Sequence, residues 1–374
     1  MMKITNSLLK AATALFVVTA SFVLGIQASN AQEKKLNVYN WSDYIAEGTK
    51  SDFEKATGIA VQYDTYDTIE VLHAKLVAGK SGYDIVVPST SWAQRQIPAG
   101  LYQKLDKSQI PNFKNIEPNI LAKMAIADPG NEYLAPWAWG VTTLGINVDK
   151  VKKALGSTPM PEEIWDLLFK PEYVSKLKSC GVSVLDSPDD VYPAALNYLG
   201  YKIDSVNPNE YQAAHEILQK IRSSVTLFSS SGYINDLATG STCLALGWSG
   251  DFSIARHRAT AAKNGVNIEM LLSPKGGELW FGVMAIPVDA PHPENAMKWI
   301  NNALDPKVAA SLTNKLFYPT GVAGASNYFS PEVQNIPSVF IPKDKLQQFK
   351  VSQGVPNDIR RLRTRLWTKF KSGI

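Results

Sequence analysis

The sequence predicts an α/β protein of two lobes, each a mostly parallel sheet flanked by helices, with the chain crossing between lobes by continuous strands. Three observations predict it. Short β-rich runs alternate with helix-length stretches, and glycines close the helical ones. A chain of 374 residues, 45% of them hydrophobic, exceeds a comfortable single domain and can bury two cores. No repeat, low-complexity tract or Pro-rich linker divides it, so two lobes must share strands rather than a tether.

Residues 1–31 stand apart from this pattern. Lys3 and Lys10 precede an apolar run, "AATALFVVTASFVLGI" (11–26), and small residues follow at Ser29 and Ala31. These are the parts of a secretory signal peptide, with cleavage expected after Ala31. No later stretch approaches the ~20 apolar residues of a membrane span, so a soluble, exported mature protein is expected. The chain has 38 basic and 34 acidic residues. Without 1–31, which hold two lysines and no acid, 36 basic residues face 34 acids, a charge of +2. Such balance argues against a nucleic-acid partner, whose affinity rests on phosphate neutralisation.

"KLNVYN" (35–40) reads as a strand, 49–57 as a helix stopped by Gly58, and "IAVQYDTY" as a second strand. A helix ending at Gly79 and the strand "YDIVVPS" (83–89) complete the first block. The second block reads "CGVSVLD" (180–186), helices 189–199 and 209–222, "VTLFSS" (225–230), "YINDLATG" (233–240), "TCLALGW" (242–248) and a helix through 251–262. "LWFGVMAIP" (279–287) and helices 294–304 and 307–315 follow. In the tail "RRLRTRLWTKFK" (360–371), Ile359, Leu362, Leu366 and Phe370 recur at helical spacing. An amphipathic helix docked on a lobe explains its six basic residues better than a lipid or nucleic-acid surface does.

Cys180 and Cys243 head two similar apolar strands that could lie side by side. In an oxidising compartment an isolated pair favours a disulfide over two buried thiols. A nucleophilic cysteine on the same scaffold would make an enzyme, but no histidine lies near either one in sequence. His73, His215, His257 and His292 show no metal-ligand spacing, and no cofactor motif occurs. "AGKSG" (78–82) only resembles a phosphate loop, since Ala74 stands where the first glycine is needed.

Ligands of open α/β sheets bind at the carboxyl ends of the strands. Here those ends carry aromatics beside carboxylates and hydroxyls. Trp41-Ser42-Asp43-Tyr44 follow the first strand, and Ser89 and Ser91-Trp92 follow the third. Later ends carry Ser187-Pro188-Asp189-Asp190, Ser229-Ser230-Ser231 and Trp248-Ser249-Gly250-Asp251. Trp280 lies within its strand, and Tyr318 follows the helix 307–315. Ring faces attract an alkylammonium and cover its methylenes, while carboxylates accept its N–H bonds. Each item alone has an ordinary explanation, core packing for Trp and helix N-capping for Asp43, Asp189 and Asp251. Their repetition at so many strand ends favours a site for a cationic amine.

The pieces "YNWSDYI" (39–45), "FEKATGI" (53–59), "INVDKVK" (146–152), "KSCGVSVLD" (178–186), "YINDLATG", "LGWSGD" (246–251), "KNGVN" (263–267) and "RTRLWTKFKSG" run in order through the mature chain. With them the chain resembles the periplasmic polyamine-binding proteins of ABC importers, close to the putrescine-binding type. The resemblance implies a monomeric, hinged periplasmic-binding-protein fold that closes on a polyamine and delivers it to a membrane permease. It implies a bridged Cys180–Cys243 and ligand contacts from Trp41, Ser42, Asp43, Tyr44, Ser89, Asp189, Ser230, Trp248, Asp251, Trp280 and Tyr318. No catalytic residue, metal or cofactor is implied. One position departs from the pattern: Gly282 stands where an aspartate is expected. The glycine leaves space and no acceptor, so Gly282→Asp is expected to raise diamine affinity. Agmatine, cadaverine, 4-aminobutyrate or an amino acid stays open as an alternative ligand. Lobes of 32–137 with 282–330, and of 138–281 with 331–374, are expected, with crossings near 137–140 and 279–283.

Overall fold

The computed structural model describes residues 33–373. The chain separates into two units, Met1–Glu33 and Lys34–Ile374. The expected signal peptide falls in the first and lies outside the described residues.

The body opens with strand β1 (Lys35–Trp41), helix Thr49–Thr57, β2 (Ala60–Tyr66), helix Ile69–Ala78 and β3 (Ile85–Val86). Gly58, at φ 69°, ends the first helix and donates its N–H to the Glu54 carbonyl at 2.8 Å. The three strands form one parallel sheet in the order β2-β1-β3, as the strand–helix rhythm predicts. The ladder of β3 is shorter than the 83–89 expected. Val86 and Ser89 instead bridge to Ala285 and Gly282.

The second sheet holds β4 (Ala135–Asn147), β5 (Val182–Val184), β6 (Leu227–Phe228), β7 (Leu244–Trp248), β8 (Ile268–Leu271), β9 (Glu278–Met284) and β10 (Lys350–Val351). Its order is β10-β9-β4-β7-β5-β6, with β8 also paired to β4. β4 runs antiparallel to β7, β8 and β9, so this sheet is mixed rather than wholly parallel. The early half of β4 pairs with β9 and its late half with β7 and β8. β9 in turn is continued by bridges to the first sheet at Ser89 and Val86. β9 thus links the two sheets, and the molecule is a two-lobed α/β fold.

β5 and β7 lie side by side and parallel, with Val182 opposite Leu244. The disulfide Cys180–Cys243 joins their leading ends. The tail forms the helix Asn357–Ser372, which buries Ile359, Leu366, Trp367 and Phe370 against the second lobe. Arg222 donates to the Lys371 carbonyl at 2.8 and 3.0 Å and so satisfies the helix end. Among the described residues no helix is long and apolar enough to cross a membrane.

Candidate functional site

A cavity opens where the strand ends of the two sheets face each other, and all twelve positions singled out from the sequence line it. Trp41, Ser42, Asp43 and Tyr44 arrive at the end of β1, whose turn holds Asp43 at φ 55°, and Ser89 follows β3. Asp189 lies in the first turn of the helix Pro188–Tyr198, and Ser230 follows β6. Trp248 ends β7, and Asp251 lies in the first turn of the helix Ser249–Ala262. Trp280 and Gly282 belong to β9, and Tyr318 follows the helix Pro306–Leu316. Neither helix entered by Asp189 or Asp251 is capped by a side chain, so their carboxylates do not serve as N-caps.

Three indoles cross the cavity. Trp41 meets Trp248 with ring centroids 6.0 Å apart, and Trp248 meets Trp280 at 6.3 Å, both edge to face. Their N–H groups differ in use. Trp41 Nε1 donates to the Val87 carbonyl at 2.9 Å and Trp248 Nε1 to Asp190 at 2.8 Å. Trp280 Nε1 is buried without a partner, as is the Tyr44 hydroxyl.

Asp251 is the most closely built acceptor. Tyr233 and Tyr318 donate to its two oxygens at 2.6 Å each. Burial pushes its carboxyl up to about 6, against the two tyrosine bonds, and the charge of Asp43 adds to the rise. Asp43 itself pairs with Arg258 at 3.2 Å, and Ser42 donates to Asp67 at 2.9 Å. Asp190 accepts from Thr142, Ser187 and Trp248 at 3.0, 2.6 and 2.8 Å. Burial still raises its carboxyl above the ordinary range.

Two of these positions have neighbours that the sequence does not name. Asp189 lines the cavity, but one oxygen accepts from Trp92 Nε1 at 2.8 Å and the other is ion-paired with the buried Arg363. Its charge is already balanced by the tail helix. Gly282 was expected to leave space, yet a Cβ there would lie 2.9 Å from the Tyr44 hydroxyl. The Tyr44 ring fills the place that a longer side chain would need.

Sequence reasoning passed over Tyr66, Asp67, Glu70, Asp186 and Glu278, and named Asp190 at a strand end without reading it as a contact; all of them also line the cavity. Glu278 had a legible signal. It precedes Trp280 and Gly282 at alternate positions, and alternate residues of a strand share one face. The lining therefore carries eight carboxylates, from Asp43, Asp67, Glu70, Asp186, Asp189, Asp190, Asp251 and Glu278, and no lysine, arginine or histidine. Among the described residues no cluster of His, Cys, Asp and Glu could hold a metal ion.

Comparison with known proteins agrees with this geometry. Residues 49–341 match the family of bacterial extracellular solute-binding proteins. The putrescine-binding periplasmic protein SpuD of Pseudomonas aeruginosa is 47% identical, over 96% of this chain and 98% of its own. The putrescine-binding periplasmic protein PotF of Escherichia coli is 44% identical, over 96% of each chain. A solved structure described as a putative spermidine/putrescine ABC transporter from Listeria monocytogenes superposes with a TM-score of 0.79 at 28% identity, covering 90% of this chain and 99% of that one. A closed set of strand-end acids and rings on a scaffold with these relatives is a receptor for a solute, and the chain belongs to the bacterial extracellular solute-binding proteins.

Proposed function

We propose that the protein captures a linear polyamine, putrescine- or spermidine-like, between its lobes and delivers it to the membrane permease of an ABC importer. The observation that carries this reading is the cavity's eight carboxylates and seven aromatic rings without one basic side chain. An alkylammonium gains charge-assisted hydrogen bonds and ring contacts there. A zwitterion such as 4-aminobutyrate or an amino acid would bring a carboxylate among acids, with no cation on the lining to receive it. Relatives that bind putrescine in the periplasm support the same ligand and place.

The lobes are read as 32–137 with 282–330, and 138–281 with 331–374, because β9, paired with β4 in the second sheet, runs on into bridges with the first. Trp41, Ser42, Asp43, Tyr44, Ser89, Ser230, Trp248, Asp251, Trp280 and Tyr318 are read as ligand contacts. Asp189 joins them through its lobe-closing bonds. One chain completes the cavity, which supports a monomer. Calorimetry with putrescine, cadaverine, agmatine, spermidine, spermine and 4-aminobutyrate tests the ligand class. At least one polyamine should bind with micromolar affinity or better, about −8 kcal/mol, and 4-aminobutyrate should give no heat. Silence from every amine at millimolar concentration would reject the reading.

A further inference from the structure

We propose that Glu278 sets ligand length: it receives the far ammonium of a linear triamine whose other end is held at Asp251. This deepens the polyamine reading and rests on it.

Strand geometry comes first. Glu278, Trp280 and Gly282 line the cavity, whereas Leu279 and Phe281 line a separate hollow on the opposite face of β9. The two ends of that row differ in chemistry. At Gly282 there is no acceptor on the strand, and the Tyr44 side chain occupies the adjoining space. Four residues back, about 13 Å at the usual rise per residue, Glu278 supplies a carboxylate to the same cavity.

Glu278 is 6% exposed, and no salt bridge to it is found among the described residues. The groups that act on its charge are the carboxylates Asp190 and Asp204 and a hydrogen bond from Ser352, and burial holds its carboxyl well above the ordinary value. Asp189, by contrast, is paired with Arg363. The unpartnered Tyr44 hydroxyl, on a residue 7% exposed, independently marks the Asp251 end as awaiting a polar ligand. Between the ends lie Trp248 and Trp280, apolar rings suited to methylenes. An extended four-carbon diamine held at Asp251 stops short of Glu278, while a triamine with three further carbons and a nitrogen extends toward it.

Titration of the purified protein and its Glu278→Gln variant with putrescine and spermidine tests this. The variant keeps the side chain's shape and should lose about 10- to 100-fold in spermidine affinity. Putrescine affinity should stay within about threefold, because its contacts lie elsewhere. Removing an unbalanced buried acid should leave the empty variant melting no lower than the wild type. A second measurement needs no variant: spermidine acetylated on one terminal amine, in either isomer, should bind the wild type no tighter than putrescine. Unchanged spermidine affinity in the variant, or equal losses for both amines, would overturn the role of Glu278 alone. Failure of every amine to bind the wild type would overturn the polyamine reading with it.

Discussion

Asp251 joins the site's chemistry to pH. Its carboxyl titrates near 6 in the folded protein, above its ordinary value of 3.8, because burial disfavours the charged form. The sign follows from linkage. Below about pH 4 it is protonated in both folded and unfolded chains and contributes nothing. As pH rises through 4 to 6 the unfolded chain ionises first, so the empty protein loses stability over that window. Burial raises Asp190 and Glu278 in the same direction. The empty protein should therefore melt higher at pH 5 than at pH 7, while diamine affinity should fall about tenfold per pH unit below 6. Melting curves and calorimetry across pH 4.5–7.5 measure both. In Asp251→Asn the affinity should drop about 10- to 100-fold and lose that pH dependence. Gly282 makes a second residue-scale case. With Tyr44 2.9 Å from its missing Cβ, Gly282→Asp alone should destabilise by about 1–3 kcal/mol from overpacking and gain no diamine affinity. Pairing it with Tyr44→Phe removes the hydroxyl and should recover most of the melting temperature. A single variant that melts like the wild type and binds putrescine more tightly would restore the simpler view of an empty slot.

At the scale of elements, the helices read from the sequence fall within a residue or two of those found, because amphipathic spacing and terminal glycines are local signals. Thr49–Thr57 before Gly58 and Pro208–Ile221 show this. Thr90–Gln96, Pro118–Met124, Val148–Leu155, Pro171–Leu177 and Tyr233–Thr239 were not read as helices. Short strands were legible by composition but not by length: the runs read at 180–186 and 225–230 pair only over Val182–Val184 and Leu227–Phe228. Pairing depends on a neighbour, which local sequence does not name. The thirteen-residue β4 was missed as an element for another reason. All of it but Trp139 is buried, so it lacks the polar–apolar alternation that announces a half-exposed strand. The bridge Cys180–Cys243 agrees with the expectation of neighbouring strands. It closes a loop across 63 positions, worth about 4 kcal/mol in a chain-entropy estimate.

At the scale of the whole molecule, polar contacts span the cavity. Trp92, which follows β3, donates to Asp189 at 2.8 Å, while Arg363 of the tail helix neutralises that carboxylate from behind. Burial and the nearby Arg95 lower the Arg363 guanidinium to about 9, so the pair holds a costly charge in place for this bond. Gln94 accepts from the Gly354 N–H at 2.6 Å beside it, and Asp43 meets Arg258 across the cavity at 3.2 Å. The Asp43 pair is half-exposed and contributes little, about 0–1 kcal/mol. Trp92→Phe keeps the ring and deletes the N–H, so the closed state should lose population. Ligand affinity should fall several-fold to tenfold, and small-angle scattering should show a more expanded empty protein. Unchanged scattering and affinity would mean that this bond does not hold the lobes.

The sequence by itself determined the α/β class and the two-lobed design, and led to the export signal and a cation site of rings and acids at strand ends as expectations. Those follow from composition and from periodicities of a few residues. Tertiary structure alone decided what each acid does. Asp189 is spent on Arg363, Tyr44 fills the place beside Gly282, and Glu278 stands buried without a cation. The physical reason is that a carboxylate's role depends on its neighbours and its solvation. Those neighbours, such as Arg363 for Asp189 174 residues away, meet only when the chain has folded.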